Sequence, residues 1–415
     1  MAAIPRRELQ LLAAAIALGL LVRVVYVLVT WDHTLAGDEP EYHMQAAYIA
    51  DGHWFWSDTP YGIPHPSAWK TPGYPLIVGI LYALGGKNPD AVMLLQVLVL
   101  GPLTITLTWL LGRRLFGAGV GTAAAFVAAL HPFVWQYEAR LFAEALATPL
   151  TLGILLLLLD RRPSMRHVVA AGALAGVLIL VKPSALTILA AVAAAILVAW
   201  GVRQGLARTA IALGVCVLVI APWTIRNYAE FDSFLPLSVQ DAGIYGVFND
   251  EAAHDDDHPW AWRLLNERDA PLFDPAHPLP DDELRNELRE NALEYIGDHP
   301  SSVPKAFVRN GLLRLWDVRD PDEVLNEVQF QGRSRTLTWI GLGIWWVLLP
   351  LGLIGLWIAR RRLGISVPLA AMFVLACFVY IANSGTRYRA PFEPVFAVLA
   401  CSAVAAWIGS RRSPA

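Results

Sequence analysis

Residues 9–30 read LQLLAAAIALGLLVRVVYVLVT, an apolar run long enough to cross a bilayer as one helix. The run is too long for a signal peptide and lacks a small-residue cleavage site, so we expect a helix that stays in the protein. The whole chain of 415 residues is 56% hydrophobic and only 16% charged, with a formal net charge of −3. Soluble domains usually carry about a quarter charged residues. The composition therefore excludes an ordinary soluble protein and a disordered or nucleic-acid-binding chain.

Nine further apolar stretches follow, which predicts an all-α polytopic membrane protein with about ten transmembrane helices. The nine are 90–111, 117–134, 142–159, 167–181, 184–200, 209–224, 336–358, 365–382 and 391–409. Residues 75–86 are also apolar, but they are too few to span a bilayer. We expect an interfacial or re-entrant helix there.

Basic clusters give the topology. If residues 75–86 are not counted as a transmembrane span, all of the basic clusters fall on one side of the membrane. The positive-inside rule makes this side cytoplasmic. The clusters are Arg6/Arg7, Arg113/Arg114, Arg161/Arg162/Arg166, Arg203/Arg208, Arg360–Arg362 and Arg411/Arg412. Both termini are then cytoplasmic in a multi-pass plasma-membrane protein.

This topology divides the chain into three parts. Residues 1–224 form an N-terminal transmembrane module, whose first external loop is 31–89. Residues 225–335 form an extracytoplasmic loop, in which 280–297 and the stretch after Pro304 have helical patterns. Residues 336–415 form the C-terminal transmembrane helices. The cysteines, Cys216, Cys377 and Cys401, lie in apolar segments and are expected to pack rather than to pair or bind metal.

An acidic motif, Gly37-Asp38-Glu39-Pro40-Glu41-Tyr42, follows the first helix and opens a helical pattern that ends at Asp51-Gly52. Two adjacent carboxylates at a membrane edge need an explanation. Asp38 is one candidate for a helix N-cap, which would satisfy free backbone amides. The functional alternative is a general base that faces the helix bundle.

Four other polar motifs lie on the same outer side. Lys70, just before the short apolar stretch, either snorkels to the interface or neutralises a phosphate. Glu144 lies inside the outer end of a helix, where an acid usually faces a cavity or a partner. An i,i+4 pair with Arg140 is the structural alternative. The remaining two motifs are Lys182-Pro183 at a tight turn and Arg387-Tyr388-Arg389 before the last helix, where the arginines suit a phosphate.

Together and in this order, the motifs resemble the C-type (GT-C) membrane glycosyltransferases of the dolichyl-phosphate-mannose protein mannosyltransferase-like superfamily, which includes the lipid A aminoarabinose transferases. The resemblance rests on the acidic motif at 37–42 and on short motifs along nearly the whole chain. These are WKTPGY at 69–74, LGRRLFG at 111–117, LVKPSAL at 180–186, PWTIRNY at 222–228, and RYR at 387–389 with Pro391 and Pro394.

The resemblance implies an inverting glycosyltransferase that uses a polyprenyl-phosphate sugar as donor and a lipid, glycan or protein hydroxyl as acceptor, at an extracytoplasmic active site. It makes residues 1–224 the catalytic module and Asp38 the catalytic base. Lys70, Arg387 and Arg389 are then the donor phosphate ligands. Residues that support the base or bind the acceptor would be Glu39, Tyr42, Glu138, Glu144, Lys182 and Tyr388.

The chain is short for this superfamily and lacks the large C-terminal soluble domain of many members. Acceptor recognition is therefore expected from residues 225–335 or from another protein. Members differ in metal use; we expect no catalytic metal, and a divalent cation is the open alternative. Three other functions compete: a transporter or lipid flippase, a noncatalytic membrane scaffold, and an O-antigen ligase-type transferase. A transporter would place charged or broken helices near the midplane and show an internal repeat.

Overall fold

The computed structural model describes residues 4–159 and 162–412, and nearly all regular structure in these ranges is helical. The elements of the N-terminal half are α1 Arg6–Val29, α2 Glu39–Ala50, β1 Trp56–Ser57, β2 His65–Pro66, α3 Gly73–Gly85, α4 Pro89–Phe116, α5 Ala118–Leu130, α6 Pro132–Trp135, α7 Glu144–Leu158, α8 Met165–Val181 and α9 Ile188–Phe231. The two strands form a small antiparallel hairpin in the first external loop.

The C-terminal half begins with the long loop that is predicted to be extracytoplasmic (225–335), called the outer loop, and ends with three apolar helices. Its helices are α10 Asp250–Ala253, α11 Asp281–Asp298, α12 Ser302–Ala306, α13 Pro321–Phe330, α14 Arg335–Ile358, α15 Leu363–Val379, α16 Thr386–Arg389 and α17 Glu393–Arg412. A π-helical turn, Phe307–Arg314, continues α12, and short 3₁₀ turns connect several of the other elements.

All ten predicted transmembrane stretches are helical within the described ranges, which confirms the all-α membrane architecture. Five segments are long and apolar enough to cross a membrane by length and composition alone, and four others are apolar helices of 13 to 17 residues. One long helix, α9, accounts for two predicted spans. It breaks at Gly201, whose φ of 71° lies in the left-handed region that favours glycine.

The apolar stretch near residue 80 forms α3, a helix of 13 residues. Its interfacial position stays a prediction, because α5, part of a predicted span, is also 13 residues long. Helix α3 packs against α2, so the acidic motif and the interfacial helix form one unit. The predicted helix over 280–297 is confirmed as α11, which buries Leu284, Leu288 and Tyr295.

Basic residues from separate turns meet at the end of the bundle opposite the acidic motif. Nε of Arg113 lies 2.7 Å from Glu8, and Arg362 donates to the Leu115 carbonyl at 2.5 Å. These contacts bring the start of α1, the end of α4 and the α14–α15 turn together, as the charge pattern predicts. Arg161, which belongs to a predicted cluster, lies outside the described residues.

An aromatic cluster fixes the outer loop against the C-terminal helices. Trp316 follows the π-helical turn and packs against Trp345, Phe373 and Phe396, with ring centroids 5.5 to 6.3 Å apart. The indole of Trp345 donates to the Trp316 carbonyl at 2.7 Å. This packing holds the segment that leads into α13 close to α16 and its arginines.

Candidate active site

The carboxylate of Asp38 stands at the start of α2 and is about one third exposed (32%). Its side chain makes no N-cap hydrogen bond, so the capping interpretation is wrong. The carboxylate instead accepts from Lys70 Nζ at 3.2 Å and from Arg387 Nη1 at 2.7 Å. The two predicted phosphate ligands Lys70 and Arg387 therefore converge on the predicted base.

Lys70 has a second carboxylate partner. Its Nζ lies 2.9 Å from Glu41 Oε2, and both side chains are largely buried. Since Glu41 is one helical turn from Asp38, α2 presents both acids to the same lysine. Glu41 is part of the acidic motif, but no feature of the sequence distinguishes it as a residue of the site.

A third acid, Glu144, is the first residue of α7 and binds Arg387 and one further cation. Its Oε1 accepts from Arg387 Nε at 2.6 Å and is paired with Lys182, which ends α8. The predicted alternative, a pair between Glu144 and Arg140, is wrong. Because Glu144 and Asp38 bind opposite edges of one guanidinium, the Arg387 side chain is fixed in orientation.

The cluster thus contains three carboxylates and three cations drawn from distant parts of the chain. Burial acts to raise the pKa of Asp38, but Arg387 and Lys70 outweigh it and hold this pKa well below its ordinary value. For Glu41 burial prevails: the pKa rises to about 7, although Lys70 opposes the shift. The same two acids raise the pKa of Lys70 against the effect of burial.

Glu39 is turned away from this cluster and holds the motif in place. It is fully buried and pairs with Arg140 through Nε at 2.9 Å and Nη2 at 2.6 Å. It also accepts from the backbone amides of Ala36 and Leu141. Arg140 continues the link by donating to the carbonyls of Gln331 and Gly332, just after α13.

Two aromatic side chains border the charged cluster. Tyr42 is buried, packs edge-on against Tyr74 at 4.8 Å, and lies 5.5 Å from Lys70 Nζ. Tyr388 stands 4.7 Å from Lys182 Nζ, measured to the ring centroid. Both rings shield the cations from water on one face.

Besides Glu39, two predicted site residues are not brought to the cluster. Glu138 pairs with Arg23 of α1 at 2.6 Å in the interior of the bundle. Arg389 is fully buried between Asp317 at 2.9 Å and Glu393 at 2.7 Å. Because α16 is helical, Arg389 points away from the face that carries Arg387. The structure thus argues against acceptor binding by Glu138 and phosphate binding by Arg389.

A cavity of about 380 Å³ lies between the cluster and the outer loop. It is lined by Asp38, Arg387 and Tyr388 together with residues of the 258–262 segment, α13 and the 383–384 turn. The sequence did not reveal these walls, because no motif marks them. Over the described ranges, no group of three or more His, Cys, Asp or Glu is arranged to hold a metal ion.

The comparisons with known proteins concern the family and the fold of the chain. The sequence profile described as dolichyl-phosphate-mannose-protein mannosyltransferase matches residues 65–225, which include Lys70, Glu144 and Lys182. A search of curated proteins found no significant match. The profile match covers less than half of the chain, and it includes neither Asp38 nor Arg387.

Several solved structures have a similar fold. The apo oligosaccharyltransferase of Archaeoglobus fulgidus matches with a TM-score of 0.56 and 17% identity over 98% of this chain and 51% of that one. The archaeal oligosaccharyltransferase AglB from the same organism, in complex with an inhibitory peptide and a dolichol-phosphate, matches with a TM-score of 0.54 and 18% identity over 98% of this chain and 51% of that one. ArnT of Cupriavidus metallidurans gives a TM-score of only 0.42, with 16% identity over 90% of this chain and 77% of that one.

This chain spans about half the length of the archaeal enzyme. At this level of identity, the similarity concerns the fold alone. The chain therefore has the fold of the C-type membrane glycosyltransferases, and its residues 65–225 match the dolichyl-phosphate-mannose-protein mannosyltransferase family.

Proposed function

We propose that this protein is an inverting glycosyltransferase that moves a sugar from a polyprenyl-phosphate donor to an acceptor hydroxyl on the extracytoplasmic side of the membrane. One observation carries the proposal: a partly exposed Asp38 carboxylate that lines a cavity is held at 3.2 Å by Lys70 and at 2.7 Å by Arg387. A base next to two phosphate-binding cations is the arrangement that this transfer needs.

In the transfer, the acceptor oxygen attacks the anomeric carbon from the face opposite the phosphate. The bond between that carbon and the phosphate oxygen breaks, and the lipid phosphate leaves with the bonding electrons. The acceptor proton passes to Asp38. The transition state is oxocarbenium-like, as in glycoside hydrolysis.

The leaving phosphate gains a negative charge as the bond breaks. Lys70 and Arg387 are already positioned, since Glu144 holds the guanidinium at Nε and is itself paired with Lys182. Preorganised cations in a site that excludes water stabilise developing charge strongly, since they need no reorganisation during the reaction. Protonation of the leaving group is then unnecessary.

The same cations make Asp38 a weak base while no donor is bound, because they lower its pKa. A donor phosphate competes with Asp38 for Lys70 and Arg387. When the phosphate draws these cations away, the basicity of Asp38 rises. The proposal therefore predicts that donor binding activates the base and precedes productive acceptor binding.

The comparisons support the donor class. The profile match concerns transferases that use dolichyl-phosphate-mannose, and one protein with a similar fold was solved with a dolichol-phosphate. The sugar of this chain's donor is left to experiment.

A donor screen tests the proposal. Purified protein is incubated with a panel of polyprenyl-phosphate sugars, and donor turnover, including slow hydrolysis, is measured beside Asp38→Asn. Turnover of one donor that is lost in the variant supports the assignment. Turnover that persists in Asp38→Asn refutes Asp38 as the base, and failure of every donor to bind refutes the donor class.

A further inference from the structure

We propose that the outer cavity binds a saccharide acceptor, and that Phe330 and Trp262 form the aromatic wall against which the sugar ring packs. The inference rests on the proposed function, because it assigns an acceptor to the base Asp38. The transfer reaction is compatible with lipid, glycan and protein acceptors, and this inference selects the glycan class.

The position of the cavity separates it from the predicted donor side. Asp38 and Arg387 line it, whereas Lys70, Glu41, Glu144 and Lys182 do not. Lys70 therefore meets Asp38 from one side and the cavity opens on another. A hydroxyl that enters from the outer loop reaches the Asp38 carboxylate without passing Lys70.

The walls combine exposed aromatic faces with unpaired hydrogen-bonding groups. Phe330 is 79% exposed and Trp262 is 36% exposed, so each offers a free ring surface. Among the described residues, the buried atoms Ser384 Oγ and Gln331 Oε1 have no hydrogen-bond partner. Buried polar atoms without partners are rare in folded proteins and require an explanation, such as a ligand that is absent.

A sugar ring satisfies both requirements at once. One face of a pyranose presents C–H groups, which pack against aromatic rings, while its edge carries hydroxyl groups that both donate and accept. The amides of Asn326 and Asn383 add further donors and acceptors to the same walls. The volume of about 380 Å³ lies within the range of small-ligand pockets.

The charges of the cavity are balanced, which favours a neutral acceptor over a strongly anionic one. Three carboxylates face three guanidinium groups, namely Asp38, Glu323 and Glu327 with Arg314, Arg319 and Arg387. Arg319 pairs with Glu327 and also lies 3.5 Å from Glu323. Glutamates of α13 thus already neutralise Arg314 and Arg319, the two arginines of the cavity that do not bind Asp38.

The aromatic wall is also held at a fixed position relative to the base. Glu39 follows Asp38 in the chain and pairs with Arg140, which donates to the carbonyls directly after Phe330. One arginine therefore connects the loop of the base to the end of α13. A ring packed on Phe330 would keep a defined orientation toward Asp38.

Direct binding tests the assignment without any donor. The full chain in lipid nanodiscs is titrated with methyl glycosides of common hexoses and pentoses and their short oligosaccharides, and with a Ser/Thr-containing peptide, by saturation-transfer NMR. We expect a glycoside to bind and Phe330→Ala to weaken it by about tenfold. Phe234→Ala, which removes another exposed phenylalanine of the outer loop (70% exposed), is the matched control and should have no effect.

Ser384→Ala removes a hydroxyl without altering the aromatic wall, and we expect it to weaken the same glycoside. Neither variant should change the affinity for a prenyl phosphodiester. The assignment is overturned if no glycoside binds, if only the peptide binds, or if Phe330→Ala weakens phosphodiester binding instead. Glycoside binding is measured without turnover, so its result does not depend on the outcome of the transferase assay.

Discussion

The Asp38 carboxylate lies 2.7 Å from Nη1 of Arg387, although 349 positions separate the two residues in the chain. The contact joins the first external loop to the turn before the last transmembrane helix. Glu144 holds the other edge of the same guanidinium at 2.6 Å. The geometry of the proposed base therefore depends on three segments that are remote in the chain.

Asp38→Asn should abolish transfer and leave the protein folded. The change removes the proton acceptor, and general base catalysis typically contributes about 10²- to 10⁴-fold. Donor affinity should be retained, since an amide competes less than a carboxylate for Lys70 and Arg387. Turnover and donor binding are measured on the same preparation. Activity within a few fold of the parent would contradict the role of Asp38.

Lys70→Ala should weaken donor binding by about 10- to 100-fold, because a hydrogen bond to a charged group contributes about 1.5–3 kcal/mol. Acceptor affinity should change less. Lys87→Ala is the matched control: this lysine of the same external loop is 41% exposed and pairs with Asp51. The prediction fails if both variants bind a prenyl phosphodiester with equal affinity.

Donor affinity should fall as the pH rises through about 7. Glu41, whose pKa is raised to about 7 by burial, faces Lys70, Asp38 and Arg387. Below this pH Glu41 is neutral and leaves Lys70 available to a phosphate. Above it, the Glu41 carboxylate competes for the same ammonium group.

The pH dependence is measured with a prenyl phosphodiester, whose charge is constant between pH 5 and 9. Glu41→Gln should bind this probe tightly across the range and flatten the profile. Asp51→Asn changes an exposed acid of the same region and should preserve the slope. An identical slope in Glu41→Gln and the parent would exclude Glu41 as its source.

Arg387 and Arg389 should respond differently to substitution, although both belong to one motif. Arg387→Ala should weaken phosphodiester binding, because its guanidinium shares the Asp38 carboxylate with Lys70, the other proposed phosphate ligand. Arg389→Ala should instead lower the thermal stability, since it removes the cation that bridges the buried acids Asp317 and Glu393. Thermal unfolding and phosphodiester titration are compared for both variants. Specific loss of phosphodiester affinity in a stable Arg389→Ala protein would reverse this division.

Arg140→Ala should destabilise the protein by about 3–5 kcal/mol, the usual cost of breaking a buried ion pair. It deprives the buried Glu39 of its arginine, leaves it with His33 and two backbone amides as partners, and releases the carbonyls after α13. Thermal unfolding in nanodiscs measures the loss. Arg285→Ala removes an ion pair with Asp241, which is 47% exposed, and should cost far less. Similar melting temperatures for the two variants would contradict the prediction.

The sequence by itself determined the membrane architecture and two central site residues. Long apolar runs form helices in a bilayer wherever they occur, because every backbone group must find its partner within the segment. Helix formation depends on the residues within a segment, and it could therefore be predicted for the ten apolar stretches, for α3 and for α11. Asp38 and Lys70 were identifiable because a motif marks each one.

Only the tertiary structure decided how the charges are paired. Arg140 stands four residues before Glu144, yet it binds Glu39, which is 101 positions away. Glu138 and Arg389 have the residue types of the site but are neutralised in other parts of the bundle. A charge in a buried setting is stabilised by whichever opposite charge the packing brings within hydrogen-bond distance, and sequence spacing does not encode that partner.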